Sequence, residues 1–156
     1  MSDLHMGWFK GNQINNVYAS AGVYRDRIEI LNKEKGKIFI TDGPFNYIPK
    51  FTIANSSGSS NKLIVGIAEP LAYLDIALSK IYIFGLYSDK TEKQLRESNE
   101  IANDIYAFDL EGKIKCNFIL DISIRGLAVD EESQKLYGIT TDEDPGIAVF
   151  DLPDLK

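Results

Sequence analysis

The chain has 156 residues, 44% of them hydrophobic, and a formal net charge of −6, a composition that is typical of one folded globular domain. Its longest apolar runs, such as residues 63–68 and 81–86, are far shorter than the about 20 residues that a membrane-spanning helix needs. The single cysteine, Cys116, excludes an internal disulfide, and the single histidine, His5, excludes most histidine-based metal and catalytic sites. The composition therefore points to no particular reaction.

The negative charge lies at one end of the sequence. Residues 129–156 contain eight acidic residues and two lysines, whereas residues 1–128 contain 15 of each sign. An acidic chain without a basic stripe repels phosphate backbones, so no nucleic-acid partner is expected. The acidic cluster could attract a cation or a basic partner, but acidic residues are also typical of turns between strands, and turn chemistry favours this second interpretation.

The first ten residues show no secretory signal, because no basic cluster precedes an apolar stretch. We interpret residues 1–156 as a single domain, within which residues 1–10 are a tail or the remnant of a tag. For this reason His5 supports no functional argument.

Hairpin patterns recur along the chain. Residues 27–31 alternate apolar and polar side chains, residues 33–36 form a turn, and the pattern resumes at 37–40. The same arrangement returns at 104–119, and a third copy of its first strand stands at 147–152. The segments IYAFDL (105–110) and IAVFDL (147–152) are 42 residues apart, which is within the period of a four-stranded propeller blade.

This period predicts an all-β, propeller-like chain with about three four-stranded antiparallel blades, that is, a partial propeller. We expect inner strands near residues 71–77 and 123–129, and a first blade built from 17–24, the hairpin at 27–40 and 48–54. Two segments fall outside the repeat, 55–61 and an insertion at 89–103, and we expect both to be mobile. Within the insertion, Thr91 and Gln94 fit a capping box, which favours a short helix or else a mobile loop.

The sequence also resembles a known family. The segments IYIFGLYS (81–88) and DIYAFDLEGK (104–113), separated by a charged insert, resemble the bacterial TolB-like six-bladed β-propeller proteins, many of which are predicted lipoproteins. The pairs Leu120-Asp121 and Leu136-Tyr137, with VDE at 129–131 between them, continue the resemblance. It implies a six-bladed fold and a location in the bacterial cell envelope, in the periplasm or at the outer membrane, lipid-anchored in the full-length form. Since the chain holds about three blades and lacks the lipid-attachment cysteine, we interpret it as the C-terminal half of such a protein.

Motifs of known catalytic chemistry are missing from the sequence. It contains no Gly-x-Ser-x-Gly elbow, no phosphate-binding loop and no complete calcium loop, so no cofactor, metal or catalytic residue is assigned. Cys116 alternates with Lys115 and Asn117 in a predicted strand, which favours a packed thiol over a nucleophile.

The residues that packing explains least are predicted to bind a ligand. Tyr73 and Asp75 share one face of the expected inner strand at 71–77, and Arg125 lies on the matching strand at 123–129. We take these three as ligand-binding residues at the channel, the alternative being that they pair only with one another or with water. The function that this favours is a non-catalytic binding or scaffold module; a hydrolase or lyase that uses acidic residues at the channel, or a fragment without its own activity, remains open.

Three blades leave two blade faces uncovered, and soluble monomers seldom expose apolar faces of that size. Two chains related by a two-fold axis could cover these faces and form a ring of three plus three blades. We therefore expect a homodimer, with Trp8, Phe9 and residues 17–24 at a joining surface. The alternative is an open arc whose loops fold over the bare faces.

Overall fold

The computed structural model describes residues 3–55, 61–98, 100–142, 144 and 146–155. In this part of the chain, a 3-10 turn at Asp3–His5 precedes twelve strands and one short helix, α1 (Glu92–Glu97). The strands are β1 (Gly7–Asn12), β2 (Val17–Gly22), β3 (Arg27–Asn32), β4 (Lys37–Asp42), β5 (Phe51–Asn55), β6 (Asn61–Val65), β7 (Tyr73–Leu78), β8 (Tyr82–Tyr87), β9 (Ala102–Asp109), β10 (Ile114–Asp130), β11 (Lys135–Thr140) and β12 (Ile147–Asp151). The predicted all-β, propeller-like fold is confirmed.

The first blade is the four-stranded antiparallel sheet β1-β2-β3-β4. Its side chains alternate between two faces, as the pleat of a strand requires. Val17, Ala19 and Ala21 of β2 are buried on one face, next to Ile28 and Ile30 of β3. The intervening side chains point to the opposite face, on which Phe9, Ile38 and Ile40 are exposed.

The second and third blades share one six-stranded sheet, in the order β12-β11-β10-β9-β8-β7. Strand β10 is 17 residues long, and its pairing shifts between Ile119 and Ile124. Before the shift it pairs with β9, and after it with β11. Strand β10 is therefore both the outermost strand of the second blade and the innermost strand of the third, which has three strands among the described residues.

Two hydrophobic cores hold the blades together. The core between the first and second blades contains Val17, Ala19, Ala21, Ile28, Ile30, Ala72, Tyr73, Ile76, Ile83, Tyr87, Tyr106 and Phe108. The core between the second and third blades contains Ala77, Phe84, Leu86, Ala102, Ile105, Ala107, Leu120, Ile124, Leu127 and Leu136. The second blade thus buries both of its faces, whereas the first and third blades each bury one.

The first blade differs from its prediction at both ends. Its inner strand is β1 rather than residues 17–24, so residues 7–10, expected in a tail, lie in the sheet. Its outer strand is β4, while β5 pairs with β6 in a separate two-stranded sheet. The segment GWFKGN of β1 has no β-branched residue, so pairing with β2, rather than local propensity, makes it a strand.

The sequence left a short helix and a mobile loop as alternatives for the insertion, and the structure has the helix, α1. The Thr91 side chain accepts a hydrogen bond from the Gln94 backbone N–H, and the Gln94 side chain accepts one from the Thr91 N–H, so both halves of the capping box are present. The other predicted mobile segment, 55–61, falls mostly outside the described residues, because these stop at 55 and resume at 61.

Replacing Phe84 with alanine tests the second core. Phe84 has no exposed surface, and its ring lies edge-on to Phe118 with the centroids 6.4 Å apart. We expect Phe84→Ala to lower the free energy of unfolding by about 3–5 kcal/mol, because it removes buried contacts and leaves a cavity. Urea unfolding measures the change. Ile67→Ala, at a side chain that is 72% exposed, is the control and should change it by less than about 0.5 kcal/mol.

Candidate functional site

One carboxylate connects the inner strands of all three blades. Asp75 on β7 accepts a hydrogen bond at Oδ2 from the Leu127 N–H of β10, 3.0 Å away. Its Oδ1 lies 3.5 Å from Nζ of Lys10 on β1 and also accepts from the Ile76 N–H at 2.9 Å. The carboxylate is therefore the point at which β1, β7 and β10 meet.

The two partners in this ion pair differ in exposure. The Asp75 side chain is 13% exposed, whereas that of Lys10 is 48% exposed. Solvent screens the ammonium, so the hydrogen bonds from Leu127 and Ile76 contribute more to holding the carboxylate than the ion pair does. The Lys10 head group remains in contact with solvent.

A cavity of about 310 Å³ opens next to this ion pair. Its wall includes Lys10, Asp75, Gly126 and Tyr137, and it continues along the third blade to Ile147. The site thus combines one charged pair at the axis with an apolar wall, an arrangement that suits a partner or ligand with one polar group and an apolar body.

The structure separates the three residues that the sequence placed together. The pairing of β7 with β8 contains a bulge between Tyr73, which faces Tyr87, and Asp75, which faces Leu86. The two side chains therefore lie on opposite faces of the second blade. Tyr73 packs in the first core with no exposed surface, and Asp75 faces β10. Strict alternation predicted a shared face because the bulge leaves no mark in the sequence.

Arg125, the third predicted residue, is exposed on β10, where the pairing with β11 is irregular between Ile124 and Leu127. Among the described residues, no hydrogen bond or ion pair joins it to Tyr73 or Asp75. It lies on the same strand as Leu127, whose N–H binds Asp75. Arg125 and Asp75 thus belong to neighbouring inner strands, while Tyr73 lies behind them.

A second buried carboxylate, Asp26, was not found by sequence reasoning. It is 1% exposed and lies just before β3. Its Oδ2 accepts a hydrogen bond from the Phe45 N–H at 2.7 Å, and the Tyr73 hydroxyl lies close by. A Cβ at Gly43 would overlap both groups, so glycine is required there. Asp26 lies between two arginines in the sequence, which predicts an exposed ion pair, so the pattern gives no sign of a buried carboxylate.

The electrostatics of Asp26 and Tyr73 follow from their burial. Burial raises the pKa of Asp26, and the donors from Phe45 and Tyr73 oppose this shift only in part. Burial, and then the nearby Asp26 carboxylate, raise the pKa of Tyr73. Neither Oδ1 of Asp26 nor the Tyr73 hydroxyl reaches full hydrogen-bond geometry with a partner in the described part of the chain. Ionised Asp26 is therefore costly to the folded state.

Aromatic rings surround Tyr73. Its ring lies edge-on to Tyr87 with the centroids 5.1 Å apart, and Tyr87 lies edge-on to Tyr106 at 5.7 Å. Phe45, which follows the first blade, contacts Tyr87 at 5.5 Å. This cluster packs the connection after β4 against the second blade, so its hydroxyl-bearing rings stabilise the blade interface.

Cys116 matches its predicted role as a packed thiol. It lies on β10 against the second core, and burial raises the pKa of its thiol. The thiolate is therefore disfavoured at neutral pH. Within the described ranges, no group of three or more acidic, histidine or cysteine side chains is placed to hold a metal ion, and no helix is both long and apolar enough to cross a bilayer.

Antiparallel blades of four, four and three strands in the described chain, which meet at their inner strands, define it as a partial β-propeller. A family model described as "TolB-like 6-blade propeller-like" matches residues 3–132. The chain therefore belongs to the TolB-like six-blade propeller-like family, as its sequence had indicated.

Among solved structures, the WD40 domain of Neurospora crassa Pan2 is similar at 12% sequence identity and a TM-score of 0.41. The match covers 94% of this chain and 48% of that chain, so this chain spans about half the length of that neighbour. No curated protein matches the sequence.

Replacing Asp75 tests its place at the junction of the inner strands. Asp75→Ala leaves the Leu127 N–H without an acceptor in a buried position, and we expect it to lower the free energy of unfolding by about 2–3 kcal/mol. Lys10→Met, which removes only the half-exposed partner, should cost less than about 1 kcal/mol. Equal losses in the two variants, measured by urea unfolding, would contradict the dominance of the hydrogen bonds.

Replacing Asp26 with asparagine gives a test with a pH dependence. The pKa of Asp26 in the folded state lies above its ordinary value of 3.8. The folded state therefore loses stability as pH rises from the unfolded-state pKa to the folded-state pKa, and at higher pH the loss stays constant. Asparagine keeps the acceptor for Phe45 but carries no charge. We expect Asp26→Asn to raise the free energy of unfolding at pH 7 by on the order of 1 kcal/mol.

The gain from Asp26→Asn should shrink towards zero near about pH 2.5, below the ordinary pKa of 3.8, where the carboxyl is protonated in both the folded and the unfolded state. Urea titrations at about pH 2.5 and pH 7 measure it, with exposed Asp42→Asn as the control. A difference between Asp26→Asn and the parent protein that does not change with pH would refute the assignment of a raised pKa.

Proposed function

We propose that this protein is a non-catalytic binding or scaffold module that works as half of a six-bladed ring. The observation that carries the proposal is that the first and third blades each leave one apolar face uncovered, on either side of the axial Lys10–Asp75 pair. Such faces are completed by further blades in a closed propeller. The family to which the chain belongs is described as six-bladed, which supports the count.

The open face of the first blade carries apolar side chains on its inner and its outer strands. Phe9 of β1 and Tyr18 of β2 stack with their ring centroids 6.2 Å apart. Ile38 and Ile40 of β4 are 67% and 57% exposed, although they belong to a regular strand. Exposed aliphatic side chains in a row on one sheet face are expected where another sheet packs.

The open face of the third blade has a similar character. Ile139, Ile147 and Val149 lie on the side opposite Leu136, and Ile147 is 74% exposed. Tyr137 and Ala128 extend this surface towards the axis. Both ends of the arc of blades therefore present an apolar sheet face.

We assign the role of the missing blades to a second copy of the chain. A two-fold axis along the propeller axis brings the first blade of each copy against the third blade of the other, which covers both faces at once. Of the segments expected at the joining surface, Phe9 and Tyr18 lie on an open face. Val17 and Ala19 are instead buried against the second blade.

At the centre of such a ring, Lys10, Asp75 and Arg125 would line the channel. We propose them as the ligand-binding residues, with Tyr73 acting indirectly, through the packing that places β7. A ligand with one acidic group suits Lys10 and Arg125. Because Asp75 already accepts hydrogen bonds from Leu127 and Ile76, its geometry favours a structural carboxylate over the acid or base that the hydrolase or lyase alternative requires.

The setting that we propose is the bacterial cell envelope, in line with the TolB-like family. Fractionation of cells that express the full reading frame tests it. Recovery in the periplasm or with outer membranes is the expected result, and recovery in the cytoplasm contradicts it.

Sedimentation velocity tests the ring. We expect a species of twice the 17.5 kDa chain mass that dissociates only on dilution by about a hundredfold or more. Ile40→Lys and Ile147→Lys each place a charge on one open face and should yield monomers, because a buried unpaired ammonium is costly. Ile67→Lys, exposed outside both faces, is the control. A stable mass of one chain at every concentration would refute the dimer.

A further inference from the structure

We propose that an arginine-lined cavity on the open face of the first blade binds the acidic β11–β12 loop of a second copy of the chain. The inference rests on the two-chain ring proposed above. It adds which charged groups select the partner and in which orientation.

The cavity has a volume of about 210 Å³ and lies at the end of β2 and the beginning of β3. Arg25 and Arg27 line it together with Ser20 and His5. Nε of each arginine is buried and has no hydrogen-bond partner in the described ranges. Glu29, which also lines the cavity, pairs with the terminal nitrogen of Arg27 at 2.9 Å, and no acidic side chain of the described residues forms an ion pair with Arg25.

Two buried donors without acceptors are costly to a folded protein unless something outside the chain satisfies them. A guanidinium takes a carboxylate in preference to other acceptors, because its donors match the two oxygens. The chemistry of the cavity therefore points to a carboxylate from outside the described chain.

The acidic loop lies on the same rim of the propeller as the cavity. This rim carries the described residues of the connections between the second and third strands of each blade: residues 23–26, 88–98 and 100–101, and 141–142, 144 and 146. The first connection contacts the second, because the Tyr24 hydroxyl donates to Glu92 at 2.9 Å. The second and third connections both contact Ser123 on β10: the Ile101 N–H donates to its Oγ at 2.7 Å, and the Thr141 hydroxyl donates to its carbonyl at 3.4 Å. Each connection thus lies beside the equivalent one of the next blade.

Continuing this series by one blade places the β2–β3 loop of a second copy beside residues 141–146. Asp142 and Asp144 are exposed there, and residues 143 and 145 lie outside the described part. The Thr140 hydroxyl donates to Asp142 Oδ1 at 2.7 Å, and its oxygen accepts a hydrogen bond from the Gly146 N–H at 2.8 Å. These two bonds hold Asp142 and Gly146 at the end of β11.

The charge distribution of the sequence fits this pairing. The whole net charge of −6 falls within residues 129–156. In the proposed ring, each joint is the contact between the third blade of one copy and the first blade of the other, and this segment belongs to the third blade. The other side of each joint contributes Arg25 and Arg27. Opposite charges across the two joints favour head-to-tail contact and disfavour contact of two acidic third blades.

A charge-exchange experiment tests the proposal. Arg25→Glu, and separately Asp142→Lys combined with Asp144→Lys, should each weaken dimerisation by about a hundredfold or more, because like charges then meet at both joints. An equimolar mixture of the two variants should form a dimer again. In that mixture one joint keeps its original charges and the other has both of them reversed.

Two control variants carry equal changes in net charge away from the joints: Lys93→Glu, and Glu132→Lys combined with Asp121→Lys. Both should dimerise like the parent protein. Circular dichroism melts show that each variant is folded, and Arg25→Gln, which is milder, should give a smaller loss. Dimerisation of the parent should also weaken as salt rises, because the contact is between charges.

The possible outcomes separate this inference from the proposed ring. If the parent protein is a monomer at every concentration, the ring and this contact are both refuted. If the reversed variants dimerise like the parent, the ring stands and the arginine–loop contact is refuted. If both variants are monomers and the mixture does not form a dimer, head-to-tail pairing is refuted.

Discussion

The carboxylate of Asp75 is the constraint on which the arrangement of the blades depends. A propeller blade buries its two faces against its neighbours, but its inner strands are joined by few backbone contacts of their own. Here the Asp75 side chain, on β7, accepts a hydrogen bond from the backbone of β10 and forms an ion pair with the Lys10 ammonium of β1. It therefore sets the spacing of three strands that do not pair with one another in a sheet.

Covalent continuity adds a second constraint on the arc. Because β10 runs unbroken from the second blade into the third, the angle between these blades depends on the irregular pairing around residues 119–124. The first and second blades lack such a shared strand and rely on their common core and on the aromatic cluster around Tyr73. The joint between the first two blades is thus maintained by side-chain packing and by contacts between separate strands, such as the hydrogen bond from the Ala72 N–H to the Val23 carbonyl at 2.6 Å.

The same joint contains a carboxylate that burial makes unfavourable in its ionised form. Asp26 is buried with one oxygen lacking a hydrogen-bond partner, next to a tyrosine whose hydroxyl is no better satisfied. A protein can tolerate such a cost where the surrounding packing is strong. The loop that bears Asp26 also bears Arg25, so the carboxylate, through its bond to the Phe45 N–H, helps to fix the loop that carries the arginine of the open face.

The sequence by itself determined the strand content and the blade period, because alternation, turn residues and the 42-residue offset are local properties of the chain. The family followed from the resemblance of particular segments, while the capping box left both a helix and a mobile loop open. The sequence did not determine which strand begins the first blade, since four of the six residues of β1 are glycine, lysine or asparagine and the strand forms by pairing with β2. It also placed Tyr73 and Asp75 on one face, because a bulge that depends on the partner strand is not written in either strand. Only the tertiary structure brought Asp75 to Leu127, 52 residues away, and buried Asp26, since both positions depend on neighbouring blades.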